Sequence, residues 1–260
     1  MKRKTPVFTT TLGLILLLGF TSALNADESD AKRILKSMSD YMGAQSALAF
    51  EFDATLGIVT TEGQVLDLAS SGSVVINRPD KIRAKRSMGF ADMESVFDGK
   101  TLTVLGKTLN VYTQVEVPGS IDHLISELKT NYNLPLPAAD LLLSSSYDEL
   151  MGDVVDIKDL GSGVVGGIEC DHLAFRTEQV DWQIWIAQGD QPYPCRFAIT
   201  SKLLDNSPTY VVQTRSFSTG SMVAKDDFKF NNTTDAEKVE LEALQGVGDL
   251  PDNFTKGETE

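Results

Sequence analysis

The 260-residue chain is poor in the side chains that build metal and nucleophile sites. It contains two histidines, His123 and His172, and two cysteines, Cys170 and Cys195. Because structural zinc sites take four Cys or His ligands and catalytic ones usually three protein ligands, a zinc site is nearly excluded. The G-x-S-x-G, H-E-x-x-H, C-x-x-C and phosphate-loop motifs are also missing. We therefore predict a protein that is not an enzyme and carries neither a metal nor a cofactor.

Basic side chains are also scarce relative to acidic ones. The chain has 37 Asp and Glu residues against 23 Lys and Arg residues, and its formal net charge is -14 at pH 7. Nucleic-acid binding depends on basic side chains that neutralise phosphates, so DNA and RNA are excluded as partners. The remaining composition, with 42% hydrophobic and 23% charged residues, is typical of a globular protein.

Apolar runs long enough to span a membrane are missing. Residues 2–4 are basic, and residues 12–20 read LGLILLLGF, which is shorter than the ~20 residues that a spanning helix needs. This pattern predicts a secretory signal peptide over residues 1–26, cleaved after Ala26 or after Ala23. An uncleaved anchor is the alternative. No cysteine lies at the cleavage region, so we expect no lipid anchor there and no transmembrane segment after signal removal.

Apolar residues recur at helical spacing in two regions. Residues 27–45 predict a first helix. Ser120 can cap a second helix, which Asn133 and Pro135 would end. Two shorter helical segments are expected at residues 138–143 and 147–151.

Tight turns divide most of the remaining chain into short segments with the alternating apolar pattern of β-strands. They run from residue 47 to 117, where QVLDLAS and SGSVVINR are taken as separate strands, and from residue 153 to the segment DFKFN. About eleven strands joined by tight turns predict one antiparallel sheet, which should curl into a barrel or half-barrel with the helices on its concave side. We predict a mainly β (α+β) domain over residues 27–242 and a disordered acidic tail over residues 243–260.

The two cysteines are interpreted through the predicted export. In an oxidising compartment a lone pair is usually a disulfide, and we expect one between Cys170 and Cys195. Both begin predicted strands with another strand between them, which would separate their Cα atoms by ~9–10 Å, too far for a bond. A disulfide therefore requires the middle strand to end early, which the following GDQPYP turn permits. Two free thiols are the alternative.

Three further features are interpreted as structural. The G-x-G-x-x-G string at residues 161–166 precedes a strand-like segment rather than a helix, so it indicates a hairpin and not a dinucleotide site. His172 could act as a general base, but no oriented nucleophile is near in sequence, and a hydrogen-bonded strand residue is favoured. The acidic pair Asp226-Asp227 is interpreted as solvated surface.

Five basic residues lie within residues 78–86 of an otherwise acidic chain. The simple interpretation is a solvated strand face, on which Arg83 and Lys85 point outward beside inward Ile82. A second interpretation makes Arg78, next to a turn-forming proline, a donor to carbonyl or carboxylate oxygens of the covering helices. Arg78 is therefore a candidate latch between the helices and the sheet.

Apolar side chains that share a strand face are the candidates for a binding site. Phe50 and Phe52 share one face of a predicted strand, and Trp182, Ile184 and Ile186 share a face of another. If these faces line the concave side, they form either a filled core under the helices or a cavity for an apolar ligand. The residues alone leave both alternatives open.

The order of these segments resembles a known superfamily. A signal peptide, a helix and a strand meander with NRPDKIR (77–83) and FDGKTL (97–102) are similar to the periplasmic LolA and LolB lipoprotein carriers. The segments GIECDHLAFR (167–176), DWQIWI (181–186) and PYPCRF (192–197) are closer still to a bacterial family of predicted periplasmic proteins of unknown function beside those carriers.

This resemblance implies a periplasmic protein with an unclosed, strongly curved antiparallel half-barrel. The helices would form a lid over a hydrophobic cavity, which takes acyl chains in the carriers. In the LolA pattern the arginine of an Arg-Pro pair helps to hold the lid closed, and this role carries over to Arg78 alone. The chain departs from a LolA carrier in its added helices between residues 120 and 151.

Two functions of different classes follow. The first is a non-enzymatic periplasmic binding or carrier protein that holds a lipid, an acyl chain or another apolar ligand in the concave face. The second is an envelope sensor or protein-interaction module with a filled core and no small-molecule ligand. The expected partners are accordingly an apolar ligand or lipid, a lipoprotein, or another envelope protein.

Overall fold

The computed structural model describes residues 28–132, 136, 138–220, 223 and 225–241. The predicted signal peptide (1–26) and acidic tail (243–260) lie outside these residues, as do Asn133 and Pro135. The extent of the single domain over residues 27–242 stays a prediction.

Four helical segments and twelve strands make up the described chain. The helices are α1 (Glu28–Ala44), α2 (Ile121–Thr130), a 3-10 helix (Ala139–Leu142) and α3 (Ser146–Met151). The strands are β1 (Ala47–Val59), β2 (Val65–Asn77), β3 (Lys81–Met88), β4 (Asp92–Phe97), β5 (Thr101–Gly106), β6 (Val111–Glu116), β7 (Asp156–Val165), β8 (Ile168–Arg176), β9 (Val180–Ala187), β10 (Pro194–Ser201), β11 (Thr209–Thr219) and β12 (Glu237–Lys238).

All twelve strands belong to one sheet in the order β12-β6-β5-β4-β3-β2-β1-β11-β10-β9-β8-β7. Only the short β12 pairs parallel to its neighbour, and all other pairings are antiparallel. The sheet is not closed, because β12 and β7 lie at opposite edges. Strand β1 pairs with both β2 and β11 and so joins the two halves of the sheet. The predicted fold class, an unclosed antiparallel half-barrel with helices on one face, is confirmed.

Helix α1 has the bounds that the sequence predicts to within one residue. Leu35, Met38 and Met42 recur at three- and four-residue spacing and are fully or almost fully buried. They join a core cluster with Trp182 and Ile184, so α1 packs on the part of the sheet that contains β9.

Helix α2 begins where predicted, since the Ser120 hydroxyl accepts a hydrogen bond from the His123 N–H at 3.2 Å. Its buried face includes Leu124 and Leu128, which pack against Phe97 at the end of β4 and against β5. The predicted segments at residues 138–143 and 147–151 form the 3-10 helix and α3. We call the stretch from α2 to α3 the lid.

Two strand predictions are wrong. QVLDLAS and SGSVVINR form one continuous strand, β2, which pairs with β1 along its whole length. The segment DFKFN is not a strand, because the Asp226 and Asp227 carboxylates accept hydrogen bonds from the N–H groups two residues ahead, and Phe228 has a φ of 50°. These local turns take the chain out of the extended conformation.

The prediction that Arg83 and Asp226 are solvated is also wrong. Arg83 donates to Asp226 at 2.5 and 3.0 Å and to Glu94 at 2.5 Å, and the Arg83 and Asp226 side chains are 14% and 18% exposed. Beyond Asp226, the Phe230 ring lies 4.8 Å from Tyr112 of β6. The C-terminal segment thus crosses the convex face of the sheet before it adds β12 to the edge.

Candidate functional site

A cavity of about 510 Å³ lies between the lid and the concave face of the sheet. Its volume is within the range of ligand-binding pockets in proteins. The sheet contributes mainly apolar side chains from both halves, and the lid closes it with the buried face of α2 and with the 3-10 helix. The lining includes Val74, Ala84, Val104, Val115, Phe197, Val212 and Phe217 from the sheet, and Ile121, Leu124, Ile125, Leu128 and Leu141 from the lid.

The candidates on β1 and β9 have different environments. Phe50 and Phe52 line the cavity, and their rings lie 6.2 Å apart. Trp182, Ile184 and Ile186 are not among the lining residues: they are 4%, 0% and 0% exposed and belong to the filled core under α1. Both alternatives that the strand pattern left open therefore occur: Phe50 and Phe52 line the cavity, whereas Trp182, Ile184 and Ile186 belong to the filled core.

Packing against α1 explains why the space around Trp182 is filled. The Trp182 ring stacks on Phe175 of β8 with ring centroids 3.9 Å apart, and its centroid lies 5.7 Å from that of Phe197 of β10. Together with Leu35 and Met38 of α1 these rings occupy the space between helix and sheet. No comparable aromatic stack spans the sheet under α2 among the described residues, and there the cavity remains.

The lid residues of the cavity were not among the predicted candidates. The sequence shows only that these residues recur at helical spacing, and a helical face does not reveal whether its partner surface is filled or hollow. They are Ile121, Leu124, Ile125 and Leu128. The lining residues on β3, β5 and β6 were missed for a related reason. Their alternation gives the inward face of each strand but not the distance to the lid.

Arg78 joins the sheet to the lid. Its Nη2 donates to the Leu142 carbonyl at 2.7 Å, its Nη1 lies 4.0 Å from Asp122 of α2, and its side chain is 10% exposed. Burial lowers the pKa of Arg78, and the nearby Asp122 carboxylate opposes this shift. Asp122 also accepts from the Ser144 N–H at 3.1 Å, so one cluster ties the β2–β3 turn to α2 and to the chain after the 3-10 helix.

One part of the cavity wall is polar. Arg86 of β3 lines the cavity, and its Nε donates to the Ser70 hydroxyl of β2 at 3.1 Å. Tyr210 of β11 lines the same cavity, and burial raises its pKa while the positive charge of Arg86 opposes the shift. A cationic side chain and a phenol thus lie in a mainly apolar wall.

The predicted disulfide is absent: Cys170 and Cys195 are free, buried thiols. Ala187, the last residue of β9, is paired with Cys170, and both share one buried cluster with Cys195. Cys195 lies where the β9–β10 register shifts, and its thiol hydrogen-bonds with that of Cys170. Burial raises the pKa of Cys195 to about 12, and that of the adjacent Tyr193 also to about 12.

The other chemically interesting residues have structural roles. His172 lies 2.9 Å from the Gln183 amide oxygen and stacks on Trp185 with ring centroids 4.1 Å apart. The glycine-rich string at residues 161–166 lies in β7 and in the turn to β8, as expected for a hairpin. Within the described ranges, no group of three or more His, Cys, Asp or Glu side chains could hold a metal ion.

Several solved structures are similar to this chain at low sequence identity. An uncharacterized conserved protein from Thermus thermophilus is 11% identical, with a TM-score of 0.48 over 81% of this chain and 98% of that chain. LprF from Mycobacterium bovis is 10% identical, with a TM-score of 0.47 over 79% and 98% of the two chains. The MucA/MucB complex of Pseudomonas aeruginosa is 14% identical, with a TM-score of 0.44 over 78% of this chain and 61% of that chain.

The sequence itself identifies the family. No curated protein matches the chain, but the family model described as "Predicted periplasmic protein (DUF2092)" matches residues 31–242. No helix in the part of the chain that the structure describes is long and apolar enough to cross a membrane. The chain therefore belongs to this family of predicted periplasmic proteins, as its sequence resemblance indicated, and its location is the periplasm.

Proposed function

We propose that this protein binds an apolar ligand, a lipid or the acyl chain of a lipoprotein, in the cavity under its lid and carries it within the periplasm. The observation that carries the proposal is the cavity of about 510 Å³, walled by apolar side chains from the sheet and from α2. A cavity of this size that is not filled by side chains leaves apolar surface to be covered by a ligand.

Burial of apolar surface would supply the binding free energy. Each methylene removed from water contributes about 0.8 kcal/mol, so an acyl chain with about ten buried methylenes gains about 8 kcal/mol before the entropy of association is subtracted. The aromatic rings of Phe50, Phe52 and Phe217 would provide much of the contact area.

Arg78 would act as the latch of the lid. Its hydrogen bond to the Leu142 carbonyl and its ion pair with Asp122 join the sheet to two parts of the lid. Ligand entry would require these contacts to open, while the hydrophobic contacts of α2 with Phe97 would guide the lid back.

A cavity-filling variant tests the proposal. Ala84→Trp places an indole in the cavity wall, whereas Ala69→Trp introduces the same side chain at an exposed position of β2. We expect the purified wild-type protein and the Ala69→Trp variant to bind a fluorescent fatty acid with equal affinity. Ala84→Trp should weaken binding at least about tenfold, because the added ring occupies the ligand volume.

Native mass spectrometry of the mature protein, purified gently from its own periplasm, gives an independent measurement. A stoichiometric lipid adduct in the wild type that disappears in Ala84→Trp supports the carrier function and identifies the cargo. A bare mass together with no uptake of fatty acid would refute it and favour a protein-interaction module. Circular dichroism of all three proteins checks that the variants are folded.

A further inference from the structure

The cavity contains one cationic side chain that no acidic residue neutralises. Arg86 donates its Nε to Ser70, and among the described residues no carboxylate lies within ion-pair distance of its guanidinium. Arg83, on the same strand but the opposite face, contacts both Asp226 and Glu94. Although the chain has a net charge of -14, Arg86 in the mainly apolar cavity wall has no acidic partner among the described residues.

The position of Arg86 gives the cavity two different ends. Ile82, four residues earlier on β3, packs against the cluster formed by α2 and Phe97. At the rise of a β-strand, Arg86 lies ~13 Å farther along the sheet. The lid end of the cavity is therefore apolar, and the cationic group lies toward the other end of β3, level with Met93 of β4.

Tyr210 adds a hydrogen-bond donor to this end. It lines the same cavity as Arg86, whose positive charge lowers the pKa of the phenol against the effect of burial. A tyrosine hydroxyl with its ordinary pKa of 10.0 is protonated at neutral pH, and burial raises the pKa of Tyr210 further. A guanidinium with free Nη groups and a phenol hydroxyl together form a suitable partner for a carboxylate or a phosphate oxygen.

We propose that the natural ligand is an anionic amphiphile, whose acyl chain lies under the lid and whose carboxylate or phosphate head group binds Arg86 and Tyr210. This inference rests on the proposed function and specifies its ligand class. Charge complementarity selects against uncharged and cationic lipids. A neutral head group offers the guanidinium no ion pair, and a cationic head group is repelled by it.

Matched ligands with the same sixteen-carbon chain test the head-group preference. Displacement of a fluorescent fatty acid is measured at pH 8 with palmitate, hexadecanol and hexadecyltrimethylammonium, and with acetate as an anion without a chain. We expect palmitate to bind about tenfold more tightly than hexadecanol and the cationic lipid more weakly than both. Acetate should not displace the probe, because the head-group site alone does not replace the apolar contacts.

Variants of Arg86 assign the preference to this residue. Arg86→Gln should weaken palmitate binding about tenfold and leave hexadecanol binding within about twofold, which also shows that the variant is folded. Arg86→Lys should retain part of the preference. Arg215→Gln makes the same charge change on the convex face of β11, where Arg215 is exposed and 3.3 Å from Asp53, and should change neither affinity.

The outcomes separate this inference from the proposed function. Equal affinities of palmitate and hexadecanol in the wild type, or equal weakening of both by Arg86→Gln, would overturn the head-group assignment and leave the carrier function standing. If acetate displaces the probe, the site binds anions without a chain and the amphiphile is refuted. If none of the long-chain ligands binds, the proposed function fails as well.

Discussion

Two buried thiols and a half-buried tyrosine form one small ionisable cluster near the starts of β8 and β10. Cys170 and Cys195 are 0% and 1% exposed there, and Tyr193 lies against both thiols. Their burial favours the neutral forms, which is why the pKa of Cys195 and that of Tyr193 are raised to about 12. These two thiols are unreactive at neutral pH, because they remain protonated and the thiolate is the reactive species.

These raised pKa values predict a loss of stability at alkaline pH. In the unfolded chain the Cys195 thiol has its ordinary pKa of 9.0 and Tyr193 its ordinary pKa of 10.0, so above these values the unfolded state loses protons that the folded state keeps. The free energy of unfolding should be unaffected by these groups below pH 9 and should fall as pH rises from about 9 to 12. Urea unfolding at pH 8, 9.5 and 10.5 measures this slope.

Two variants in the same cluster distinguish ionisation from packing. Cys195→Ala should reduce the alkaline slope, because the unfolded state then has one ionisable group fewer to deprotonate. Val165→Ala removes a neighbouring apolar side chain of the cluster and should lower stability by the same amount at each pH. Identical slopes in the two variants would contradict the assignment to Cys195.

At the scale of elements, the lid is held by contacts of unequal strength. The Arg78 side chain is 10% exposed and bonded to the Leu142 carbonyl. The Lys129–Glu149 ion pair between α2 and α3 has side chains that are 54% and 47% exposed. Exposed pairs contribute little, whereas removal of a buried partner leaves a polar group without its hydrogen bond. The buried contact should therefore control lid opening.

We expect Arg78→Ala to open the lid more often than Lys129→Ala. Amide hydrogen exchange of residues 139–151 should accelerate about tenfold in Arg78→Ala and less than about twofold in Lys129→Ala. Release of a bound fluorescent fatty acid should accelerate in the same order. Equal exchange rates in the two variants would show that Arg78 does not hold the lid.

At the scale of the whole molecule, β1 connects the two halves of the sheet. It pairs with β2 over its full length and with β11 from Leu48 to Leu56, so neither half has an edge of its own at this junction. The core under α1 includes residues of β1, β2, β8 and β9 in one cluster. This continuity predicts that the halves unfold together.

A single cooperative transition is therefore expected. Both tryptophans, Trp182 and Trp185, lie on β9, so their fluorescence reports on one half of the sheet, while far-UV circular dichroism reports on the whole. The two urea unfolding curves should coincide, and the calorimetric and van't Hoff enthalpies should agree. Separate midpoints would indicate two domains and contradict the single domain over residues 27–242.

Much of the architecture could be predicted because it depends on neighbours in the chain. The spacing of Leu35, Met38 and Met42, the Ser120 cap and the alternation in the strands are set by the geometry of one helix or strand. Tight turns then require antiparallel pairing of consecutive strands. These local rules were sufficient for the mainly β fold, the helices and the inward faces of Phe50 and Phe52.

The remaining features depend on contacts between residues far apart in the chain. The Arg83–Asp226 pair joins residues 143 positions apart. Whether Trp182 lines the cavity or lies in the core depends on where the distant helix α1 packs on the sheet. Whether a face is filled or hollow is a matter of the distance between two packed layers, which no pattern within one strand contains. The tertiary structure therefore decided that the cavity stays hollow and that Arg86 lies in its wall, whereas for Arg78, already the candidate latch, it decided only which lid oxygens lie within reach, those of Leu142 and Asp122.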